Sequence, residues 1–97
     1  MKVVWSPLAL DKLERAAKFI SLDKPSAAEK WVNDMFDRIE LLGEQPETGR
    51  KVPELLSLNY REVVFGNYRV IYKIENDIKI LTLRNARQVL SSDNIEL

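Results

Sequence analysis

The sequence contains neither cysteine nor histidine among its 97 residues. Without cysteine the chain can form no disulfide, and it offers no thiolate for metal binding or nucleophilic attack. Without histidine it lacks the commonest metal ligand and the commonest general base. Zinc centres, haem ligation and histidine-dependent triads therefore have no basis in this composition. We expect no cofactor, no metal and no small-molecule ligand.

Long apolar runs are also missing, because no stretch approaches the roughly 20 apolar residues that a membrane span needs. The first residues carry charges every few positions, unlike a signal or transit peptide. Hydrophobic residues make up 45% and charged residues 31% of the chain, as in an ordinary globular domain. We expect residues 1–97 to be a single cytoplasmic domain without a membrane partner, in which the polar residues 91–97 form a flexible tail.

Charge is balanced overall, at 15 basic and 15 acidic residues, but it is unevenly placed. Residues 1–48 carry seven basic and nine acidic side chains, whereas residues 49–90 carry eight basic and four acidic ones. Five arginines of the basic segment could bind phosphate or carboxylate if the fold brings them together. These are Arg50, Arg61, Arg69, Arg84 and Arg87.

Two amphipathic helices are predicted in the first half of the chain. Ser6 and Pro7 are typical of an N-cap followed by proline at the first helical position, and apolar residues at helical spacing follow as far as Ser21. A second apolar stripe runs from Ala28 to Leu42 after a break around Pro25. The second helix begins either with Pro25 or with a capping box of Ser26 and Glu29, and Gly43 is placed to end it. The short link implies an antiparallel helical hairpin.

Short strands are predicted on both sides of this hairpin. The β-branched and aromatic segment 2–5 precedes it, and segments 60–65, 68–75 and 78–84 follow the proline-containing loop 44–53. Tight turns at 66–67 and 76–77 join the last three into an antiparallel meander. The fold class is α+β, with the first strand added to an edge of the sheet and the helices packed on one face.

Alternation along the strand 68–75 places Arg69, Ile71 and Lys73 on the face opposite the better core face. That second face is expected to be open to a partner. Because an unpaired cation there would be costly unless a partner covered it, Arg69 is the strongest candidate for an interaction residue.

Several motifs together resemble the ParE/RelE superfamily of toxins from type II toxin–antitoxin modules. The resemblance covers about residues 3–90. Its motifs are Trp5-Ser6-Pro7, Pro25-Ser26-Ala27-Ala28, Pro46-Glu47-Thr48-Gly49-Arg50, Arg61-Glu62, Tyr68-Arg69-Val70-Ile71-Tyr72 and Leu83-Arg84-Asn85-Ala86-Arg87-Gln88.

The resemblance implies a bacterial toxin held inactive by a cognate antitoxin protein, with two competing activities. ParE-like members stabilise plasmids and are associated with poisoning of DNA gyrase, so that replication stalls. RelE-like members cut mRNA on the ribosome with basic side chains and often a C-terminal tyrosine. Here no tyrosine follows Arg87, and Asn85 stands beside Arg84 where both branches commonly have a histidine. The missing tyrosine favours the ParE branch.

Each activity predicts its own site residues. A gyrase inhibitor would have no catalytic residues and would bind its target or antitoxin through Arg50, Arg61, Arg69, Arg84 and Arg87. A ribosome-dependent mRNA endoribonuclease would use Lys51, Arg61, Arg69, Arg84 and Arg87 as catalytic residues. A third alternative is a regulatory module that binds its antitoxin and operator without being toxic.

Overall fold

The computed structural model describes residues 1–86 as two helices packed on one face of a five-stranded sheet. Arg87, a predicted site residue, and the predicted tail 91–97 lie outside the described residues. The helices and strands, in chain order, are β1 (Val3–Trp5), α1 (Pro7–Asp23), α2 (Pro25–Glu40), β2 (Arg50–Lys51), β3 (Tyr60–Phe65), β4 (Tyr68–Ile74) and β5 (Ile78–Asn85). Three single 3₁₀ turns stand at Leu41–Gly43, Pro46–Thr48 and Pro53–Leu55. The predicted α+β class is confirmed.

The helix boundaries follow their capping residues. Ser6 caps α1, because its hydroxyl accepts a hydrogen bond from the backbone N–H of Ala9 at 3.0 Å. The same hydroxyl donates to the carbonyl of Leu81 at 2.8 Å, which ties the start of α1 to β5. At α2 the residue before the helix is Lys24, which makes no side-chain cap, and Pro25 is the first helical residue. The capping box of Ser26 is therefore wrong, since Ser26 already lies inside the helix.

The sheet has the order β1-β5-β4-β3-β2. β1 pairs in parallel with β5 through Val3 to Trp5, and the other neighbours pair antiparallel. The first strand therefore joins a sheet edge as predicted. Strand β2 was not predicted, because two exposed residues inside a loop carry no alternating pattern. Gly66 begins the hairpin turn between β3 and β4 with a φ of 58°, a conformation that glycine adopts without strain.

Most buried side chains form a core between the helices and the sheet. That core contains Ala9, Leu13, Met35, Ile39, Leu42, Val63, Val70, Tyr72, Ile78, Ile80 and Leu83. A smaller cluster of Val52, Leu55, Ile71 and Leu81 lies on the opposite face. Residues of the segment between β2 and β3 thus cover part of the face that was expected to be open, and this expectation is corrected.

A bulge in β5 brings Leu81 into this second cluster. Ile71 pairs with Thr82 while the next residue of β4, Tyr72, pairs with Ile80, so Leu81 is an extra residue in β5. Leu81 therefore belongs to the cluster with Ile71, although Ile80 beside it belongs to the main core. Within residues 1–86, neither helix is long and apolar enough to cross a membrane.

Candidate interaction surface

Arg69 lies at the centre of an ion network on the second face of the sheet. Its Nη1 and Nη2 each donate to one oxygen of Glu54 at 2.7 Å, which is the strong bidentate geometry. Its Nε donates to Glu62 at 3.0 Å, and Nη2 contacts the same carboxylate. Only 6% of the Arg69 side chain is exposed, and the Glu62 side chain is fully buried.

Arg50 completes the network from β2. Its Nε and Nη2 donate to the second oxygen of Glu62 at 3.0 and 2.8 Å, while most of its side chain stays in solvent. The ion network of Arg50, Glu54, Glu62 and Arg69 therefore has two positive and two negative charges. The hydrogen bonds to Glu54 are the main cause that raises the pKa of Arg69, and those to Glu62 add to it. A buried guanidinium with these partners keeps its charge.

The network attaches the segment between β2 and β3 to the sheet. Glu54 belongs to the 3₁₀ turn Pro53–Leu55, and Leu55 packs in the small cluster beside it. Arg69 is thus covered by its own chain, which corrects the expectation of an exposed cation awaiting a partner. Its predicted role as a binding or catalytic residue stays a prediction.

Lys51 and Arg61 lie on the other face of the sheet from the ion network. They are directly opposite each other across β2 and β3, and Arg61 is in turn opposite Tyr72, a residue of the main core. Arg61 Nη1 donates to the carbonyl of Gly49 at 2.7 Å. Lys51 is exposed. Two like charges at directly opposite positions repel, so this pair favours an anion nearby.

A cleft of about 300 Å³ lies beside this pair. Its lining combines two cations with one carboxylate and one amide, and consists of Glu47, Lys51, Asn59, Arg61 and Ile74. It is a small polar site.

Tyr72 fixes the loop that borders this cleft. The phenol donates to the carbonyl of Pro46 at 2.6 Å and accepts from the backbone N–H of Gly49 at 3.0 Å. Burial raises the pKa of Tyr72, although the bond from Gly49 opposes the shift. Residue 49 must be glycine for this contact, because a Cβ there would lie 2.5 Å from the phenol oxygen and 2.6 Å from the carbonyl oxygen of Glu62.

Arg84 lies on β5 directly opposite Arg69. Among the described residues, its buried Nε has no hydrogen-bond partner. The five arginines named from the sequence therefore do not form one cluster. Arg50, Arg69 and Arg84 belong to the second face, Arg61 belongs to the helix-facing side, and Arg87 lies outside the described residues.

Sequence reasoning missed the acidic members of the site. Glu54 was counted only as a charge, and Glu62 only as a charge and as part of the Arg61-Glu62 motif. Glu62 lies in β3 on the second face, between half-buried Tyr60 and exposed Val64, so alternation does not mark it as buried. The position of Glu54 depends on the fold of a loop.

Comparison with known proteins agrees with this architecture. The family described as ParE toxin of type II toxin-antitoxin system, parDE, matches residues 3–90. Y4kP of Sinorhizobium fredii (strain NBRC 101917 / NGR234), whose name marks it as a candidate toxin, is 32% identical over 89 residues, which are 90% of each chain. A solved chain of the chromosomal ParDE TA system from P. aeruginosa superposes with a TM-score of 0.76. It is 19% identical, and the match covers 90% of this chain and 97% of that one.

The fold and the matched span together define a small toxin domain. The chain belongs to the ParE family of toxins of type II toxin–antitoxin systems. The likeness to the P. aeruginosa chain supports the fold alone, since the identity is low.

Proposed function

We propose that this chain stops DNA replication by inhibiting DNA gyrase and that a cognate antitoxin protein neutralises it. The proposal rests on membership of the ParE family over residues 3–90. It concerns a toxin that acts by binding a protein, without a catalytic step of its own.

The pairing of Arg69 is the observation that carries this choice. Metal-free RNA cleavage needs a group that takes the 2′-hydroxyl proton, a group that protonates the leaving oxygen, and cations on the phosphate. Arg69 already binds two carboxylates, so it offers little net charge to a phosphate. Lys51 and Arg61 lie on the opposite side of the sheet from Arg69 and Arg84. A single phosphate clamp built from all four is thus disfavoured.

The cleft beside Lys51 supports one alternative, a ribosome-dependent mRNA endoribonuclease. The opposed cations Lys51 and Arg61 would gain from a phosphate between them, and the carboxylate of Glu47 lines the same cleft. This alternative uses only the residues of the cleft beside Lys51, and the ion network then has a structural role.

Pulse-labelling of DNA and protein synthesis after induced expression distinguishes the two activities. Under the proposal DNA synthesis falls first while translation continues, and the purified chain inhibits supercoiling by gyrase. An early fall in translation with intact supercoiling activity contradicts the proposal and supports mRNA cleavage. Coexpression of the cognate antitoxin restores growth if the second half of the proposal holds.

A matched pair of lysine variants sharpens this test. Lys51→Ala removes an exposed cation from the cleft, and Lys2→Ala removes an exposed cation beside the strand at the other sheet edge. We expect both to arrest DNA synthesis as the unmodified chain does. If Lys51→Ala alone abolishes growth arrest, the cleft is the active site and the endoribonuclease alternative gains support.

A further inference from the structure

The cleft beside Lys51 adjoins a larger cavity. That adjoining cavity has a volume of about 560 Å³ and is lined by Gln45, Pro46, Glu47, Thr48 and Ile74. Because Glu47 and Ile74 line both spaces, the cleft and the adjoining cavity share a wall. Sites for small ligands in proteins have volumes of about 300 to 1,000 Å³. The two spaces are therefore large enough for one small molecule that reaches into both.

The cleft is positively charged. Lys51 and Arg61 line it, and Glu47 is the one carboxylate among the described residues that do so. No ion pair within residues 1–86 involves Lys51 or Arg61. An anion in the cleft would therefore meet cations that no carboxylate of the described chain has neutralised.

Arg38, in the last turn of α2, adds to this charge. Burial raises the pKa of Tyr72, and the positive charges of Arg61 and Arg38 both oppose the shift. Both guanidinium groups are thus within electrostatic reach of the phenol that fixes the loop beside the cleft. Glu47 acts on the phenol in the other direction.

The guanidinium of Arg61 is held in place by its own chain. Its Nη1 donates to the carbonyl of Gly49 at 2.7 Å, and the backbone N–H of Gly49 donates to the phenol of Tyr72 at 3.0 Å. A guanidinium has five N–H donors, so this single bond leaves others that can bind a ligand. A cation that is already positioned loses little conformational entropy when a ligand binds.

The adjoining cavity presents apolar surface on a fixed turn. Pro46 and Ile74 supply the apolar side chains of its lining. The Thr48 hydroxyl donates to the carbonyl of Gln45 at 2.8 Å, and the Tyr72 phenol donates to the carbonyl of Pro46 at 2.6 Å. These bonds hold the turn in one conformation, so a flat group of low polarity can pack against it.

We propose that the cleft and the adjoining cavity together bind a free mononucleotide. Its phosphate lies between Lys51 and Arg61, and its ribose hydroxyls donate to Glu47 on the shared wall. Its base packs on Pro46 and Ile74. Cations, carboxylate and apolar surface follow one another in the same order as phosphate, ribose and base. The proposal goes beyond the proposed function and does not depend on it.

This proposal departs from the expectation of no small-molecule ligand, which rested on composition. Both spaces are built from the loop between α2 and β3 and from strand residues that lie beside it. Composition does not show how a loop folds.

The position of Glu47 favours a free nucleotide over a nucleic-acid strand. In a strand the next phosphate is attached to the ribose, so it would lie beside the carboxylate that binds the ribose and would be repelled. Glu44 is a further exposed carboxylate on the same loop. A sugar phosphate would avoid this repulsion, but it would leave the apolar surface of Pro46 and Ile74 uncovered.

Isothermal titration calorimetry on the full chain tests the proposal with adenosine 5′-monophosphate, adenosine and inorganic phosphate. We expect the nucleotide to bind at least about tenfold more tightly than either fragment, with an affinity that falls as salt is added. The other three ribonucleoside 5′-monophosphates are titrated in the same way. Binding of inorganic phosphate as tight as that of the nucleotides would overturn the proposal. Failure of all four nucleotides to bind at millimolar concentration would overturn it as well.

A pair of lysine variants locates the phosphate. Lys51→Ala should weaken binding of adenosine 5′-monophosphate by about tenfold or more and leave the binding of adenosine unchanged. Lys2→Ala is the matched control, because it removes an exposed cation beside the other edge of the sheet. Lys51 is exposed and has no ion pair within residues 1–86, so its variant should keep the circular dichroism spectrum of the unmodified chain. Equal affinities of the two variants for the nucleotide would overturn the assignment.

A pair of glutamate variants locates the ribose. The unmodified chain should bind adenosine 5′-monophosphate more tightly than its 2′,3′-dideoxy analogue, which lacks both ribose hydroxyls. Glu47→Ala should remove this preference, because it removes the acceptor of those hydroxyls. Glu44→Ala should retain it, since Glu44 is exposed on the same loop and lines neither space. A preference that persists in Glu47→Ala would overturn the proposed arrangement.

Competition with an oligonucleotide separates the free nucleotide from a strand. A single-stranded RNA that displaces adenosine 5′-monophosphate and binds more tightly would indicate a nucleic-acid site and overturn the proposal. Cleavage of that RNA by the purified chain would overturn it too and would support the endoribonuclease alternative. The order in which DNA synthesis and translation fall after induction tests the proposed function separately.

Discussion

Arg69 and Glu54, 15 residues apart in the sequence, form a two-point ion pair in which each terminal nitrogen lies 2.7 Å from one carboxylate oxygen. Glu62 binds the same guanidinium from the neighbouring strand. Alternation along β4 places Arg69 on the second face, and the fold supplies both of its acceptors from the same chain. Strand alternation predicts that a partner protein covers Arg69, but in the structure Arg69 attaches the segment between β2 and β3 to the sheet.

Replacing Arg69 with alanine should lower the free energy of unfolding by about 3 to 5 kcal/mol, because it leaves the buried Glu62 with only Arg50 as a partner. Urea denaturation measures the change. Lys79→Ala is the control, since it breaks only an exposed pair with Glu75 and should change stability far less. Similar losses in the two variants would mean that the ion network does not stabilise the fold.

Tyr72→Phe should reveal a pH dependence above the ordinary phenol pKa of 10.0. Because burial raises the pKa of Tyr72 in the folded chain, its stabilising contribution is fully present below pH 10.0 and is lost as pH rises through the folded value. The difference in unfolding free energy between the unmodified chain and Tyr72→Phe should therefore shrink with rising pH in that range. If the difference in unfolding free energy between the two chains stayed constant with pH, the pKa of Tyr72 would not be raised by folding. Tyr60→Phe serves as the control.

Ser6→Ala should cost about 1 to 2 kcal/mol of stability, because the hydroxyl caps α1 and also binds the carbonyl of Leu81. Ser26→Ala should be neutral or slightly stabilising, since Ser26 lies inside α2 and caps nothing. Thermal unfolding of the two variants compares them directly. A larger loss of stability for Ser26→Ala than for Ser6→Ala would support the predicted capping box at the start of α2.

Trp31→Ala should cost about 2 to 3 kcal/mol, less than a fully buried aromatic, because Trp31 is half-buried. Its ring lies 5.5 Å from that of Tyr68 and 6.4 Å from that of Phe65, measured between centroids. Phe19→Ala should change stability by no more than about 0.5 kcal/mol, since its side chain is in solvent. If chemical denaturation showed a larger loss of stability for Phe19→Ala than for Trp31→Ala, both assignments would be wrong.

Periodicity predicted the main elements because burial selects one face of each. The helical hairpin, the meander and the added first strand all follow from apolar residues at spacings that helices or strands require. Arg50 and Lys51 escaped prediction as a strand because both are exposed, so no alternation marks them. The bulge at Leu81 was not predicted either. It changes which residues of β5 share a face, but all of the residues around it are types that any strand can contain.

The candidate site was less predictable than the fold. Its cationic residues could be named from the sequence, but their grouping depends on pairing between strands. Lys51 and Arg61 were expected to act with Arg69, and the register places them on the other side of the sheet. Glu54 depends on a 3₁₀ turn, which no periodic pattern marks.

The ion network also constrains how this chain can diverge over generations. Losing Arg69 or Glu62 leaves the other buried residue with one partner fewer, whereas replacing the buried pair by apolar residues of similar volume is tolerated far better. Mutations at Arg69 and Glu62 should therefore become fixed together, with Glu54 and Arg50 free to drift only afterwards. Related sequences should therefore either keep both Arg69 and Glu62 or replace both with apolar residues that pack against each other.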